Sequence, residues 1–530
     1  MGQTVSRFPA RPAYYPIFSI TFRRRDRVTV VDADPEVIHA IRNVLATYYS
    51  DGIQRERRLP GGSTEFQLRG FPFVQGFKNS ATMFKLVLCR LFVVLRNSGW
   101  RLCISSDLSR LSDLSTLFFQ KVSCETYSGC QVFCLSLSST DKFKLINAPP
   151  QAHQLLIDIV GSLLQSSSVE NMYSEVQLRG YAWLTTSSIF GCEVRKILLD
   201  IFRRFHSIGY RYYGTANLKN TADCIFFISD ESSVGLRHYA MLSLNATDRI
   251  RLIDTSPEII EVVRRCLEQN WSQGIQNEGP KDDGSYYEFK LNGRPWLSCG
   301  NEAIDSRLIL TLIFQQLAGI GWDVVTALDI SRRPNDKAVF VLRRCAATNI
   351  PHFAISMNST DIIRVIYSNR EVNDFIAATL SECWTLGVSS FGRRNGCSEF
   401  ILNGTPWSCS STTSQFEVTR MLMSRIMYVL ALRGWKVVFS ADVSAKYERP
   451  KNREPYPVDV HSWFVAYTGY EEGQRTALSS LHLSEVQHIH PSAPPIDIEE
   501  VMNTPPSYAN AVKQSNRGCN IRWNIGRAFV

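Results

Sequence analysis

Apolar and polar positions along this chain change their period in an order that recurs four times. The third occurrence is the easiest to follow. Met241 to Asp254 (MLSLNATDRIRLID) alternates on either side of a polar turn at Asn245 to Asp248, which predicts strand, turn, strand. Ser256, Pro257 and Glu258 then open a helix, with serine at the N-cap, proline at the first position and an acid in the first turn. Ile259, Val263, Cys266, Leu267 and Trp271 keep one apolar face at helical spacing, and Gly274 ends it. Tyr286 to Gly293 (YYEFKLNG) alternates again, as a strand does. Asp305 to Ile320 is a second amphipathic helix, stopped by Gly321. WDVVTALDIS and KAVFVLRR are two more strands, with a turn at Pro334-Asn335. The unit reads β-β-α-β-α-β-β. One sheet with two helices on a face suits it, because each helix has a single apolar stripe.

Short signatures mark the other copies. Leu68-Arg69-Gly70-Phe71-Pro72-Phe73 aligns with Leu178-Arg179-Gly180-Tyr181-Ala182-Trp183, Leu291-Asn292-Gly293-Arg294-Pro295-Trp296 and Leu402-Asn403-Gly404-Thr405-Pro406-Trp407. A glycine–aromatic pair follows in each: Gly99-Trp100, Gly209-Tyr210, Gly321-Trp322, Gly434-Trp435. Next come SSDLS (105–109), ANLK (216–219), ALDIS (327–331) and SADVS (440–444). Asp26, Asp141, Asp248 and Asp361 sit in the early turns. The period, about 110 residues, is that of a small domain rather than a solenoid turn. The expected organisation is α+β: residues 1–13 as an N-terminal segment, two-layer units at 14–125, 130–230, 236–345 and 351–470, and a disordered tail at 471–530. Short connections predict two pairs or a compact array. The LxGxPW-type repeat resembles an uncharacterised family of eukaryotic proteins built from such units, across residues 14–470; the resemblance implies a fold and no activity. The second copy departs most, with Ala182 for proline, Tyr210 for tryptophan and Asn217 for aspartate.

Composition narrows the chemistry. Hydrophobic residues at 44% and charged residues at 20% are those of a folded soluble protein. The net charge of +9 permits an anionic membrane or RNA and demands neither. No run of 18 apolar residues appears, and no apolar signal segment follows Met1 to Ser6. The 14 cysteines are scattered without a CxxC pair, which predicts reduced thiols in a cytosolic protein rather than a zinc site. Walker, GxGxxG, GxSxG and HExxH motifs are missing, so no cofactor is expected. Asp107, Asp329 and Asp442, with Asn217 in their place once, are the catalytic candidates, but a strand-end aspartate two positions before a serine reads more simply as an Asx-turn. Trp100, Trp296, Trp322, Trp407 and Trp435 read as core anchors rather than base-stacking platforms. His482, His488 and His490, grouped with His461 upstream, read as a solvated tail rather than a metal site.

The two ends carry the functional signal. Met1-Gly2-Gln3-Thr4-Val5-Ser6 fits the N-myristoylation pattern, with Gly2 as acceptor, and resembles the start of gammaretroviral Gag proteins. A single acyl chain holds a bilayer only marginally, so a second signal is expected, and Arg7, Arg11, Arg23, Arg24, Arg25 and Arg27 are its candidates. Arg23 to Arg27 read equally well as a solvated hairpin turn. Pro491-Ser492-Ala493-Pro494 resembles the PSAP late domain that the ubiquitin-variant domain of ESCRT-I reads. Pro505-Pro506-Ser507-Tyr508 resembles the PPxY ligand of WW domains, including those of HECT-type ubiquitin ligases. Prolines preset the extended form that such grooves take up. Chance supplies a PPxY only roughly 0.03 times in a chain of this composition. The expectation is a non-enzymatic, membrane-anchored adaptor at the cytoplasmic face of the plasma membrane or endosome. An RNA-binding repeat protein is the alternative, and an enzyme acting through the repeated aspartates ranks last.

Overall fold

The computed structural model describes residues 16–74, 78–109, 114–122, 129–218, 223–230, 237–297, 300–331, 337–408, 414–444, 447–448, 456–457 and 460–469. The first repeat contains β1 (Ile17–Arg23), β2 (Arg27–Val31), α1 (Pro35–Tyr48), β3 (Ile53–Arg58), β4 (Thr64–Leu68), α2 (Lys78–Asn97), β5 (Trp100–Ser106) and β6 (Thr116–Lys121). The second contains β7 (Val132–Ser138), β8 (Lys142–Ile146), α3 (Pro150–Val160), β9 (Leu164–Val169), β10 (Tyr173–Leu178), α4 (Ser188–Ser207), β11 (Tyr210–Ala216) and β12 (Cys224–Ser229). The third contains β13 (Tyr239–Asn245), β14 (Arg249–Ile253), α5 (Pro257–Asn270), β15 (Ile275–Lys281), β16 (Tyr286–Leu291), α6 (Asn301–Gly319), β17 (Trp322–Leu328) and β18 (Val339–Arg344). The fourth contains β19 (His352–Asn358), β20 (Ile362–Ile366), α7 (Arg370–Cys383), β21 (Val388–Arg394), β22 (Cys397–Leu402), α8 (Ser414–Leu432), β23 (Trp435–Ala441), a two-residue pair β24 (Tyr447–Glu448) and β25 (Tyr456–Pro457), and β26 (Ser462–Tyr467).

Each repeat is an α+β unit with one six-stranded antiparallel sheet, in the order β3-β4-β2-β1-β6-β5 and its counterparts. The expected fold is therefore present with one strand more per unit. The addition is the outermost strand β3, β9, β15 or β21, none of whose residues is buried and which, β15 apart, are almost all exposed. Local signals place the rest. Asp34 caps α1 by accepting the Val37 N–H at 2.7 Å, with Pro35 behind it. Ser256 occupies the predicted N-cap of α5, but its hydroxyl makes no capping bond. The turn aspartates work through their carbonyls: Asp26, Asp141, Asp248 and Asp361 accept the N–H of Leu68, Leu178, Leu291 and Leu402 at 2.8–2.9 Å. That bond ties each hairpin tip to the LxG loop beside it. Gly321 follows α6 at φ +80°, and a Cβ there would lie 2.7 Å from the Cys345 carbonyl oxygen.

Of the two expected arrangements the four units take the compact array and not the two pairs. The second helix of each packs against the sheet of the next: α2 on β7 and β8, α4 on β13 and β14, α6 on β19 and β20, and α8 back on β1 and β2. The ring is closed. Strands β5, β11, β17 and β23 each touch their neighbours in turn and surround its centre. Every sheet is thus covered on both faces. In β1, Phe18, Ile20 and Phe22 face the repeat's own helices, while Ile17 joins the core of the fourth repeat together with Ile104, Leu108 and Phe118. Leaving those four side chains in water would cost roughly 6–12 kcal/mol, as much as a whole domain's net stability. Closure is therefore built into the sequence of the first sheet.

Candidate functional site

The repeated aspartates mark the seams at the centre of the ring. Each lies just past the end of a central strand and meets the residue that leads into the last strand of the preceding repeat. Ser115 donates its N–H to the Asn217 carbonyl at 3.1 Å, Asp223 to Asp329 at 2.8 Å, Ala338 to Asp442 at 3.1 Å and His461 to Asp107 at 3.2 Å. Three of these seams have a return bond to the same residue's side chain. Asn217 N–H donates to Ser115 Oγ at 2.7 Å, Asp329 N–H to Asp223 Oδ2 at 2.8 Å and Asp107 N–H to His461 Nδ1 at 3.3 Å. Ala338 has no side chain to answer with. The carboxylates serve their own turns: Oδ1 of Asp107, Asp329 and Asp442 accepts the N–H of Ser109, Ser331 and Ser444, each at 3.1 Å. This is the Asx-turn that the spacing predicts. Lys219, its counterpart after Asn217, lies outside the described residues.

Two of the answering side chains titrate in opposite directions. Burial pushes the Asp223 carboxyl up to about 7, against a backbone hydrogen bond that pulls it down. His461 keeps some solvent access but is hemmed in at the closing seam, and desolvation lowers its imidazole to about 4. Its Nδ1 accepts from Asp107, so a proton there would displace that bond. The Ser440 hydroxyl also approaches this nitrogen at 3.1 Å while donating to the Ser105 carbonyl at 2.6 Å. Trp463 completes the seam by donating its indole N–H to Ser106 Oγ at 2.9 Å. His461 is therefore a seam residue. The sequence grouped it with the solvated histidines of the tail, and the strand pairing of β26 draws it inward instead.

Two further sets of seam residues escaped the sequence reading. One is a buried cation in each second helix. Lys85 donates to Ser136 at 2.6 Å, Arg195 to Ser243 at 3.1 Å and Arg307 to Ser462 at 3.5 Å, each in the next repeat, and Arg420 lies fully buried with its guanidinium over Phe416. The signal was a cation recurring in each second helix at the repeat period. The other set joins the same helices to the residue after the second strand: Arg90 to Asn147 (3.2 Å), Arg203 to Asp254 (2.9 Å) and Arg425 to Asp32 (3.1 Å). Asn147, Asp254 and Asp32 all hold positive φ.

The other candidates fall as follows. Trp100, Trp296, Trp322, Trp407 and Trp435 are all buried. Trp296 and Trp407 donate to the Arg249 and Ile362 carbonyls at 3.0 Å, as core anchors do. Arg23 and Arg27 are not free for a membrane: both pair with the buried Glu65, and Arg23 also stacks on Phe416 at 3.8 Å. Among the described arginines of that group only Arg24 and Arg25 are exposed. Cys89, Cys134, Cys192, Cys224, Cys266 and Cys397 are buried free thiols. Among the described residues no cluster suited to a metal ion occurs, and no helix is long and apolar enough to cross a membrane. Gly2, Ser6, Arg7, Arg11, Pro491 to Pro494, Pro505, Pro506, Tyr508, His482, His488, His490 and the Pro334-Asn335 turn lie outside the described residues.

No curated protein and no solved structure matches the chain. One domain family matches it four times in tandem, over residues 16–120, 131–234, 238–343 and 351–466. Those boundaries coincide with the four sheets, and the chain belongs to that domain family as a four-copy member.

Proposed function

We propose that the chain is a non-enzymatic adaptor held at the cytoplasmic face of a membrane. Gly2 carries the lipid. Pro505, Pro506 and Tyr508 recruit WW-domain ubiquitin ligases, and Pro491, Ser492, Ala493 and Pro494 recruit ESCRT-I, for cargo sorting or vesicle budding. The observation that carries this reading is the pairing of a PSAP and a PPxY sequence within one proline-rich stretch. The acylation pattern at the other end supports it. Two motifs acting together at a bilayer gain effective concentration over either alone. The ring supports a scaffold role, since the repeated aspartates that were the catalytic candidates serve turns and seams.

Proximity labelling tests it. The wild type is compared with a double variant, Pro494→Ala with Tyr508→Ala, and with Gly2→Ala. The double variant is expected to lose both ligase and ESCRT-I neighbours while remaining at the membrane. Gly2→Ala is expected to lose the membrane neighbours as well. Unchanged labelling in the double variant would mean that the motifs are idle.

A further inference from the structure

The outer rim of the ring carries four sheet edges at equivalent positions, and one of them differs from the rest. An edge strand offers unpaired backbone groups to any extended chain, and proteins guard such edges with charge or proline. Strand β3 (IQRERR) carries Arg55, Glu56, Arg57 and Arg58. Strand β15 (IQNEGPK) carries Glu278, Pro280 and Lys281, and β21 (VSSFGRR) carries Arg393 and Arg394. Strand β9 (LQSSSV) has neither a charge nor a proline. Val169 at its end is 72% exposed, more than any other large apolar side chain described, and Met172 in the following turn is 38% exposed.

The pairing of β9 shows which backbone groups are on offer. Glu170 donates its N–H to the Tyr173 carbonyl at 2.8 Å, so this pair is hydrogen-bonded. Bonded and non-bonded pairs alternate along an antiparallel ladder. Opposite Ser174, Glu175, Val176 and Gln177 stand Val169, Ser168, Ser167 and Ser166. Ser168 and Ser166 therefore bond inward to β10, and the N–H and C=O of Ser167 and Val169 point away from the sheet.

We propose that β9 is a homodimerisation edge, pairing antiparallel with the β9 of a second copy of this chain, with Ser167 facing its own counterpart. Charge on β3 and β21 and Pro280 on β15 leave β9 as the edge at which two copies can meet without like charges facing each other. The chain carries +9, so two copies repel wherever their surfaces are charged. Pairing β3 or β21 with itself would bring together two strands of net charge +2 (three arginines less one glutamate, and two arginines). The β9 edge brings none. Its serines are small enough for close approach, and Glu170, beyond the end of the strand, falls opposite the apolar Leu164 of the second copy. A single edge-to-edge ladder is a small interface, so the dimer is reversible and concentration-dependent.

Sedimentation velocity of the full chain across a concentration series tests this. The wild type is expected to shift from monomer to dimer as concentration rises. Val169→Lys places a guard charge on the edge, and Ser167→Pro removes an outward N–H that the native sheet does not use. Both are expected to stay monomeric with an unchanged melting temperature. Should Ser167→Pro melt early, Val169→Lys decides alone. Phe391→Lys on β21 is expected to dimerise like the wild type. A wild type that stays monomeric throughout overturns the proposal, as does a dimer that Val169→Lys leaves intact. A monomeric wild type whose Ser167 and Val169 amides exchange slowly would instead identify a segment of the same chain as the occupant.

Discussion

The seam that closes the ring and the seam halfway round it occupy equivalent positions in the fold. At both, a strand-end aspartate accepts a backbone N–H and has its own N–H answered by a side chain. At the closing seam the answering group is His461, and at the other it is Asp223. The helix-to-sheet ion pairs differ too. Arg425 and Asp32 at the closing seam are each 12% exposed, whereas Arg203 and Asp254 are 27% and 35% exposed. The backbone sets the geometry of a seam and leaves the side chains to set how dry it is. The closing seam is the drier one, and it has to hold without a covalent connection between the repeats it joins.

Removing packing should have the largest absolute effect at both seams. Trp463 and Ile225 stand one position into the last strand of their repeats, both fully buried. Trp463 also packs edge-on against Phe118 of the first repeat at 5.5 Å and bonds to Ser106. Trp463→Ala should cost about 3–5 kcal/mol and Ile225→Ala about 2–4 kcal/mol. Limited proteolysis of Trp463→Ala should release the first and fourth repeats before the middle pair. If both variants fray at the same place, the closing seam has no special weight.

The ion pairs give the next contrast. Asp32→Ala removes the carboxylate that faces a largely buried guanidinium and should cost about 3 kcal/mol in denaturant titration. Asp254→Ala, at a wetter pair that shares its arginine with Asp200, should cost under about 1 kcal/mol. Equal losses would mean that exposure does not rank these seams.

How much of this the sequence could reveal follows from where each signal comes from. The helices and inner strands were legible because their apolar periods report burial, and the repeat was legible because LxG and glycine–aromatic positions carry backbone demands. The edge strands were not legible. IQRERR and LQSSSV face water on nearly every side, so no alternation marks them. Ring closure was hidden for a related reason. The sheet face that meets the neighbouring helix presents small polar residues such as Ser19, Thr21, Ser136 and Ser243, which look solvent-facing in a sequence yet are buried. The cations that reach this face, Lys85 to Ser136, Arg195 to Ser243 and Arg307 to Ser462, look equally like surface cations. Asp107, Asp329 and Asp442 were read correctly as turn residues because an Asx-turn is local. His461 was misplaced because its seam pairs residues 354 positions apart.

The last contrast is in pH response, where His461 and Asp223 contribute with opposite sign. The His461 pKa is about 4 in the folded chain against an ordinary value of 6.5. Above pH 6.5 both folded and unfolded chains hold it neutral. Between 6.5 and 4 only the unfolded chain takes up the proton, so stability falls as pH falls. Asp223 runs the other way, at about 7 when folded against 3.8. Between 3.8 and 7 the unfolded chain gives up its proton while the folded chain keeps it, so stability falls as pH rises. In the wild type the two slopes oppose each other between pH 4 and 6.5. Relative to the wild type, His461→Gln should tilt the melting temperature downward as pH rises through this window, and Asp223→Asn should tilt it upward. Each slope should amount to about 2 kcal/mol once solvent access at the seam is allowed for. His153, His206 and His352, held down by burial, and Asp32 and Asp305, held up by it, are common to both variants and drop out of the difference. Parallel profiles for the two variants would show that the seams do not titrate independently, and the contrast between them would then rest on packing and ion pairs alone.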